Sequence, residues 1–83
     1  METPLRLEVM SPEAVLVSCG VQMVTLPGRK GAFQVLRDHA ALVTSLSAGN
    51  ITYRAEDGSE SSIPVSGGFA QVRDNVVNVC IEG

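Results

Sequence analysis

Three groups of residues have side chains suited to chemistry, and their spacing decides what each can do. The first is Asp38-His39, which contains the only histidine of the chain. An imidazole beside a carboxylate suggests a general base or a metal ligand. A base needs a nucleophile and an orienting acid brought to it by the fold. No serine stands in a G-x-S-x-G elbow, and Asp38 is too close along the chain to orient its neighbour's ring. A metal would need two or three further ligands. The chain offers two remote thiols and scattered acids, with no ligand spacing. The second group is Cys19 and Cys80, which belong to no CxxC or CxxxH pattern. They read as small buried hydrophobes rather than as a disulfide or redox pair. The third is "LPGRKGAF", residues 26 to 33, where two glycines flank a lysine. A phosphate loop needs a four-residue gap followed by K-[ST]. This G-x-x-G spacing predicts a glycine-rich corner between two strands instead. The residues therefore point to no catalytic group, no cofactor and no metal, and place His39 at a turn near a sheet edge.

The elements that carry these residues are short. With 83 residues, the chain makes one small domain, which buries roughly 60–65% of the surface its unfolded form exposes. Apolar residues are 45% of the chain, enough for a core. With no tryptophan, one tyrosine and two phenylalanines, that core must be aliphatic. The net charge of −3 gives no general attraction to nucleic acid or anionic lipid. No apolar run approaches the ~20 residues of a membrane span. The start "METPLRLEVM" lacks a secretory layout, so a cytosolic domain is expected, with any membrane association peripheral.

Alternation of apolar and polar residues between turn signals predicts strands throughout. The runs are "LRLEVM", "AVLVSC", "VQMVTL", "AFQVL", "ALVTSL", "NITYRA", "SSIPV", "GFAQV" and "NVVNVCIE". About ten short, mostly antiparallel strands in a flattened β-sandwich or barrel is the fold class this rhythm predicts. Helix is expected for one turn at most, from Asp38 to Ala41, with Asp38 as its N-cap. The hairpin around Asp57-Gly58 allows two registers. A two-residue loop would set Ile51 opposite Pro64. A three-residue loop, Glu56 to Gly58 with Gly58 left-handed, sets Ile51 opposite Ile63 and Tyr53 opposite Ser61. Only the second keeps both isoleucines on one face, so it is the expected one.

Two further features stand out. Arg29, Lys30 and Arg37 concentrate positive charge in an otherwise acidic chain, a contrast that a partner can read. Gly67 and Gly68 interrupt an apolar strand, which weakens it unless a bulge, a close backbone crossing or another chain requires bare backbone there.

Taken in order, "LRLEVMSPE", "VTLPGRKGAFQVL", "DHAALVTSLSAG" and "VSGGFAQVRDNVVNVC" resemble the N-terminal β-domain of the epsilon subunit of bacterial F-type ATP synthase. The resemblance spans essentially the whole chain, residues 1 to 83, as a single domain. It implies a ten-stranded flattened β-sandwich without catalytic residues. It also implies a place in the central rotor stalk, bound to the gamma subunit and to polar loops of the membrane c-ring. There such a domain couples ion translocation to ATP synthesis or hydrolysis, peripheral to the cytoplasmic face of the bacterial inner membrane. Carried over by residue, the corner of Gly28, Arg29, Lys30, Gly31 and Ala32, together with His39, matches the region that looks toward the c-ring. Gly67, Gly68 and Phe69 match a structural strand motif of the family. The chain reads "LRDHAAL" where relatives usually read "LPGHAPL", so Arg37, Asp38 and Ala41 replace proline, glycine and proline. Ala32 stands where some relatives carry an acid. Many relatives continue into a C-terminal helical hairpin that can inhibit hydrolysis. The resemblance thus implies a short form that couples without that inhibition. The alternative from a different class is a free-standing small β-barrel that binds a ligand or peptide. The rotor role further predicts an apolar patch on one outer face.

Overall fold

The computed structural model describes residues 3–82. It contains eight strands: β1 Leu5–Met10, β2 Val15–Leu26, β3 Phe33–Val35, β4 Leu42–Leu46, β5 Gly49–Ala55, β6 Glu60–Val65, β7 Gly68–Arg73 and β8 Val76–Ile81. No helix occurs among the described residues. The strands run in the order β4-β7-β8-β1-β2-β5-β6, with β3 paired to β2. All neighbours are antiparallel except β1 and β8. A bridge between Gly28 and Leu46 joins the end of β2 back to β4. Ser47 N–H donates to Pro27 C=O at 2.9 Å, and Arg29 N–H donates to Ser45 C=O at 3.0 Å, on either side of it. The path from β4 to β2 therefore closes on itself at the Ser45–Ser47 end of β4.

The nine expected runs become eight described strands, against the expected total of about ten, because two of the runs are one strand. "AVLVSC" and "VQMVTL" form β2, 12 residues long, continuous through Gly20. Gly20 keeps a ladder partner in Arg6, and a side chain there would collide with the Glu56 carboxylate. The break in alternation that separated the two runs is a register shift between Val21 and Met23. Before it, Val17, Cys19 and Val21 point inward; after it, Val24 and Leu26 do. A bulge that changes side-chain parity and bends the strand lets one element serve both halves of the fold.

The interior is aliphatic. Leu5, Leu7 and Val9 from β1 meet Val21, Val24 and Leu26 from β2, Ile51 from β5, and Val72, Val77 and Val79 from β7 and β8, all at most 3% exposed. Each fully buried side chain of this size stabilises by about 1.5–3 kcal/mol relative to exposure, so the core rests on many modest contributions. The β5–β6 hairpin takes the three-residue loop. Ile51 faces Ile63 and Tyr53 faces Ser61; Gly58 is left-handed with φ 91°. Ala55 N–H donates to Ser59 C=O, closing the last pair. Pro64 faces the open edge of β6, where a ladder donor is not needed.

The expected helical turn at Asp38 is absent. Leu36 C=O accepts from His39 N–H at 3.2 Å, and Asp38 has φ 65°. A left-handed residue at the third position belongs to a type II turn, not to a helix N-cap, whose backbone is extended. Glycine suits that position best, and Asp38 adopts it at some backbone cost.

Candidate functional site

Asp38 and His39 do not form a reactive pair. Asp38 N–H donates to Asn75 Oδ1 at 2.6 Å, and Asn75 Nδ2 donates back to Asp38 Oδ1 at 3.1 Å. Asn75 is itself left-handed, φ 63°, in the two-residue β7–β8 turn with Asp74 at φ 51°. Two strained turns thus hold each other by reciprocal bonds. The half-buried His39 donates from Nδ1 to the Ala40 carbonyl at 2.7 Å. The carbonyl can only accept, which places the proton on Nδ1 and makes the ring a brace on its own loop. Among the described residues no three His, Cys, Asp or Glu side chains gather as a metal site.

The two cysteines are free and half-buried, less enclosed than the sequence suggested. Cys19 is paired with Leu7 and turns inward, whereas Cys80 is paired with Met10 and Phe69 and turns outward. The sheet itself separates their sulfurs, which excludes a bond between them.

The Gly28–Ala32 corner is pinned by its own backbone. Gly28 N–H donates to Leu26 C=O, Arg29 N–H to Ser45 C=O and Gly31 N–H to Gly28 C=O, at 2.9–3.0 Å. These amides are already used, so they cannot cradle a phosphate. Gly28 is buried, and a side chain on it would meet Gly31 C=O at 2.7 Å and the Phe33 ring at 2.9 Å. Arg29, Lys30, Gly31 and Ala32 are exposed. The corner sits at the Leu46–Gly68 end of the β4–β7 pair. His39 lies beyond the other end, where Leu42 meets Val72. About 14 Å of strand separates the two, at ~3.4 Å per residue. The structure therefore gathers Gly28 to Ala32 at one corner and does not bring His39 to it.

Gly67 and Gly68 serve a close backbone approach rather than a bulge, since the β7–β8 register runs without a shift. A side chain on Gly68 would strike Cys80 C=O and lie 2.9 Å from Ile81 Cα, and its φ is 142°. Phe69 is not a core residue. It is 52% exposed and points outward. It belongs to a cross-strand row that runs Ser45, Phe69, Cys80, Met10, Val15, with Val43 one step along β4 on the same side. Val43 and Val15 are 71% and 62% exposed, so this outer face carries an apolar patch. The patch was expected, but its residues were not legible. A phenylalanine after two glycines and a valine in an alternating run look inward or outward only once the register is known. A parallel polar row, Gln71, Asn78, Glu8 and Ser18, borders it. There Ser18 Oγ–H and Arg6 converge on the Glu8 carboxylate at 2.8–3.0 Å. The Ser18 hydrogen bond, with Arg6 behind it, holds Glu8 below the usual carboxylate value despite opposing desolvation.

Residues 4–83 match the family described as ATP synthase, Delta/Epsilon chain, beta-sandwich domain. The chain belongs to this family. Among curated relatives, this epsilon-family chain is 39% identical over 79 residues to the ATP synthase epsilon chain of Sulfurimonas denitrificans, covering 95% of itself and 61% of the relative. It is 40% identical over 82 residues to the ATP synthase epsilon chain of Nitratidesulfovibrio vulgaris, covering 99% and 60%. It spans about three fifths of the length of these relatives. Among solved structures, a chain of the Euglena gracilis mitochondrial ATP synthase assembly of OSCP, F1 and c-ring superposes with a TM-score of 0.87 at 26% identity, over 94% of this chain and 50% of that one. A chain from the central stalk and c-ring of the Tetrahymena thermophila mitochondrial ATP synthase shares the fold, with a TM-score of 0.83 at 14% identity, over 99% and 66%.

Proposed function

We propose that this chain is a non-catalytic central-stalk subunit of an F-type ATP synthase, linking the gamma subunit to the membrane c-ring. In that role it couples ion translocation to ATP synthesis or hydrolysis from the cytoplasmic face of the membrane, held there through the complex. The observation that carries the reading is the match to the epsilon family over nearly the whole chain. The chemistry of the surface supports it. The one histidine braces its own loop, and the interior is filled with aliphatic side chains. What the fold offers a partner is area. The outward-facing patch of Phe69, Cys80, Met10 and Val15, with Val43 beside it on β4, is the face assigned to gamma, since apolar area removed from water is worth roughly 25 cal/mol per Å² before association costs. The pinned corner of Gly28 to Ala32 is the surface assigned to the c-ring. His39, at the far end of β4, stays outside that corner. Among the described residues no helix is long and apolar enough to cross a membrane.

Affinity purification of the tagged chain from its native membranes tests this directly. Gamma and the ring should be recovered in stoichiometric amounts. Val43→Asp with Phe69→Asp should lose gamma while the purified chain keeps its β-sheet circular dichroism. Recovery of a folded chain without gamma would refute the proposal.

A further inference from the structure

We infer that Asp57 is a modification site, the residue at which this chain converts spontaneously to isoaspartate, and that the closed β5–β6 turn, through Ser59, holds the conversion back. The site needs no partner and stands apart from the rotor role. Asn50, Asn75 and Asn78 precede Ile51, Val76 and Val79, whose branched side chains shield the following amide nitrogen. Asp38 precedes His39, and Asp74 precedes Asn75. Asp57 alone precedes a glycine, which has no Cβ to hinder approach to its nitrogen. Both Asp57 and Gly58 are exposed, so water reaches them.

The chemistry uses only the chain and water. The Gly58 nitrogen bonds to Asp57 Cγ and gives up its proton. The bond from Cγ to the carboxyl hydroxyl breaks, and the hydroxyl leaves with a proton as water. A five-membered succinimide ring remains. Water then opens it at either carbonyl. One opening restores aspartate. The other sends the main chain through Cγ, adds a methylene to it and frees the α-carboxylate.

The turn opposes the first step with three bonds. Gly58 N–H donates to Ala55 C=O at 3.0 Å, which keeps the attacking nitrogen inside the turn. Asp57 Oδ1 accepts from Ser59 Oγ–H at 2.7 Å and from Ser59 N–H at 2.9 Å, which fixes the carboxyl group toward residue 59. These donors also favour the carboxylate over the carboxylic acid, the form that can lose water. Around them, Ala55 N–H donates to Ser59 C=O at 2.8 Å, and Gln22 Nε2 donates to Glu56 C=O at 3.1 Å, tying the loop to β2. The loop that sets Ile51 opposite Ile63 therefore also restrains its own reactive pair. Isoaspartate at this position would lengthen the loop and remove the bonds that close it.

The test holds the purified chain in heavy-oxygen water at physiological pH and temperature, then maps its peptides by chromatography and mass spectrometry. Each passage through the ring leaves one heavy oxygen at residue 57, and isoaspartate separates from aspartate by retention. Conversion should appear first in the peptide that carries Asp57, and Asp57→Ala should abolish it there. In urea the rate should rise about tenfold or more, because all three bonds open. Ser59→Ala should raise the rate of the folded chain about fivefold, the effect of one net hydrogen bond. Ser59→Thr keeps a hydroxyl and should stay near the parent rate. The urea comparison uses the unmodified chain, so it stands whatever Ser59→Ala does to folding. Equal rates in the folded chain and in urea, or equal rates for Ser59→Ala and Ser59→Thr, would overturn the restraint. Earlier conversion at another Asp or Asn would overturn the site.

Discussion

Replacing Gly68 by alanine adds one methyl group, and the structure says where it lands. It would run into Cys80 C=O and sit 2.9 Å from Ile81 Cα. Both are backbone atoms of β8, held by β7 on one side and β1 on the other. They cannot swing away as a side-chain tip can. Forced overpacking costs about 1–3 kcal/mol, and a side chain at φ 142° adds about 1–2 kcal/mol of backbone strain. The sum is about 3 kcal/mol or more. A domain of 83 residues has a total stability of only about 4–12 kcal/mol. At about 4–8 °C per kcal/mol for this size, the melting temperature should fall by about 12–24 °C. The neighbouring residue supplies the control. A methyl on Gly67 meets the flexible Glu82 carboxylate at 3.3 Å and Leu46 C=O at 3.7 Å. Glu82 can move, so Gly67→Ala avoids the backbone collision and should cost only the strain of its positive φ of 159°, about 1–2 kcal/mol. Urea or thermal unfolding of the purified chain, followed by far-UV circular dichroism, reads both. If the two alanine variants lose the same stability, or if Gly68→Ala melts like the parent, the close approach of β7 to β8 is not what this glycine serves.

Three further outcomes follow from the same geometry. Asn75→Ala should cost about 2–3 kcal/mol, since it loses the bonds to Asp38 and strains a left-handed residue. Asn75→Gly loses only the bonds and should cost about 1 kcal/mol, so denaturant midpoints that do not separate the two would refute the latch. Glu8 titrates below its ordinary 4.5 in the fold, so its contribution to stability is full above that value and is lost as pH falls through the lower folded value. Ser18→Ala removes the main cause, should move the Glu8 carboxyl titration seen by NMR back toward 4.5, and should reduce the acid-side loss of stability. Asp57 is likewise held below its ordinary 3.8 by Ser59 Oγ–H and N–H. Ser59→Ala should raise its titration midpoint while the Ile51–Ile63 register, visible as cross-strand NOEs, persists.

The hairpin register was readable because one alternative would have put Ile51 and Ile63 on different faces, and a one-residue slip inverts every side chain. The corner at Gly28 was readable as a corner, since proline and glycine end a strand whatever lies around them. The length of β2 was not readable. Gly20 and the parity change after Val21 look like a turn until Arg6 and the β5 ladder are seen to continue past them. The role of Asp38 was likewise hidden, because its turn is stabilised by Asn75, 37 positions away.

Alternation, turn residues and an aliphatic composition settled the all-β class, because those are local properties of the chain. Which residues share a face and which glycine has no room for a methyl were decided only when distant strands met. Each depends on atoms contributed by another part of the chain, and a linear sequence does not state how close those atoms come.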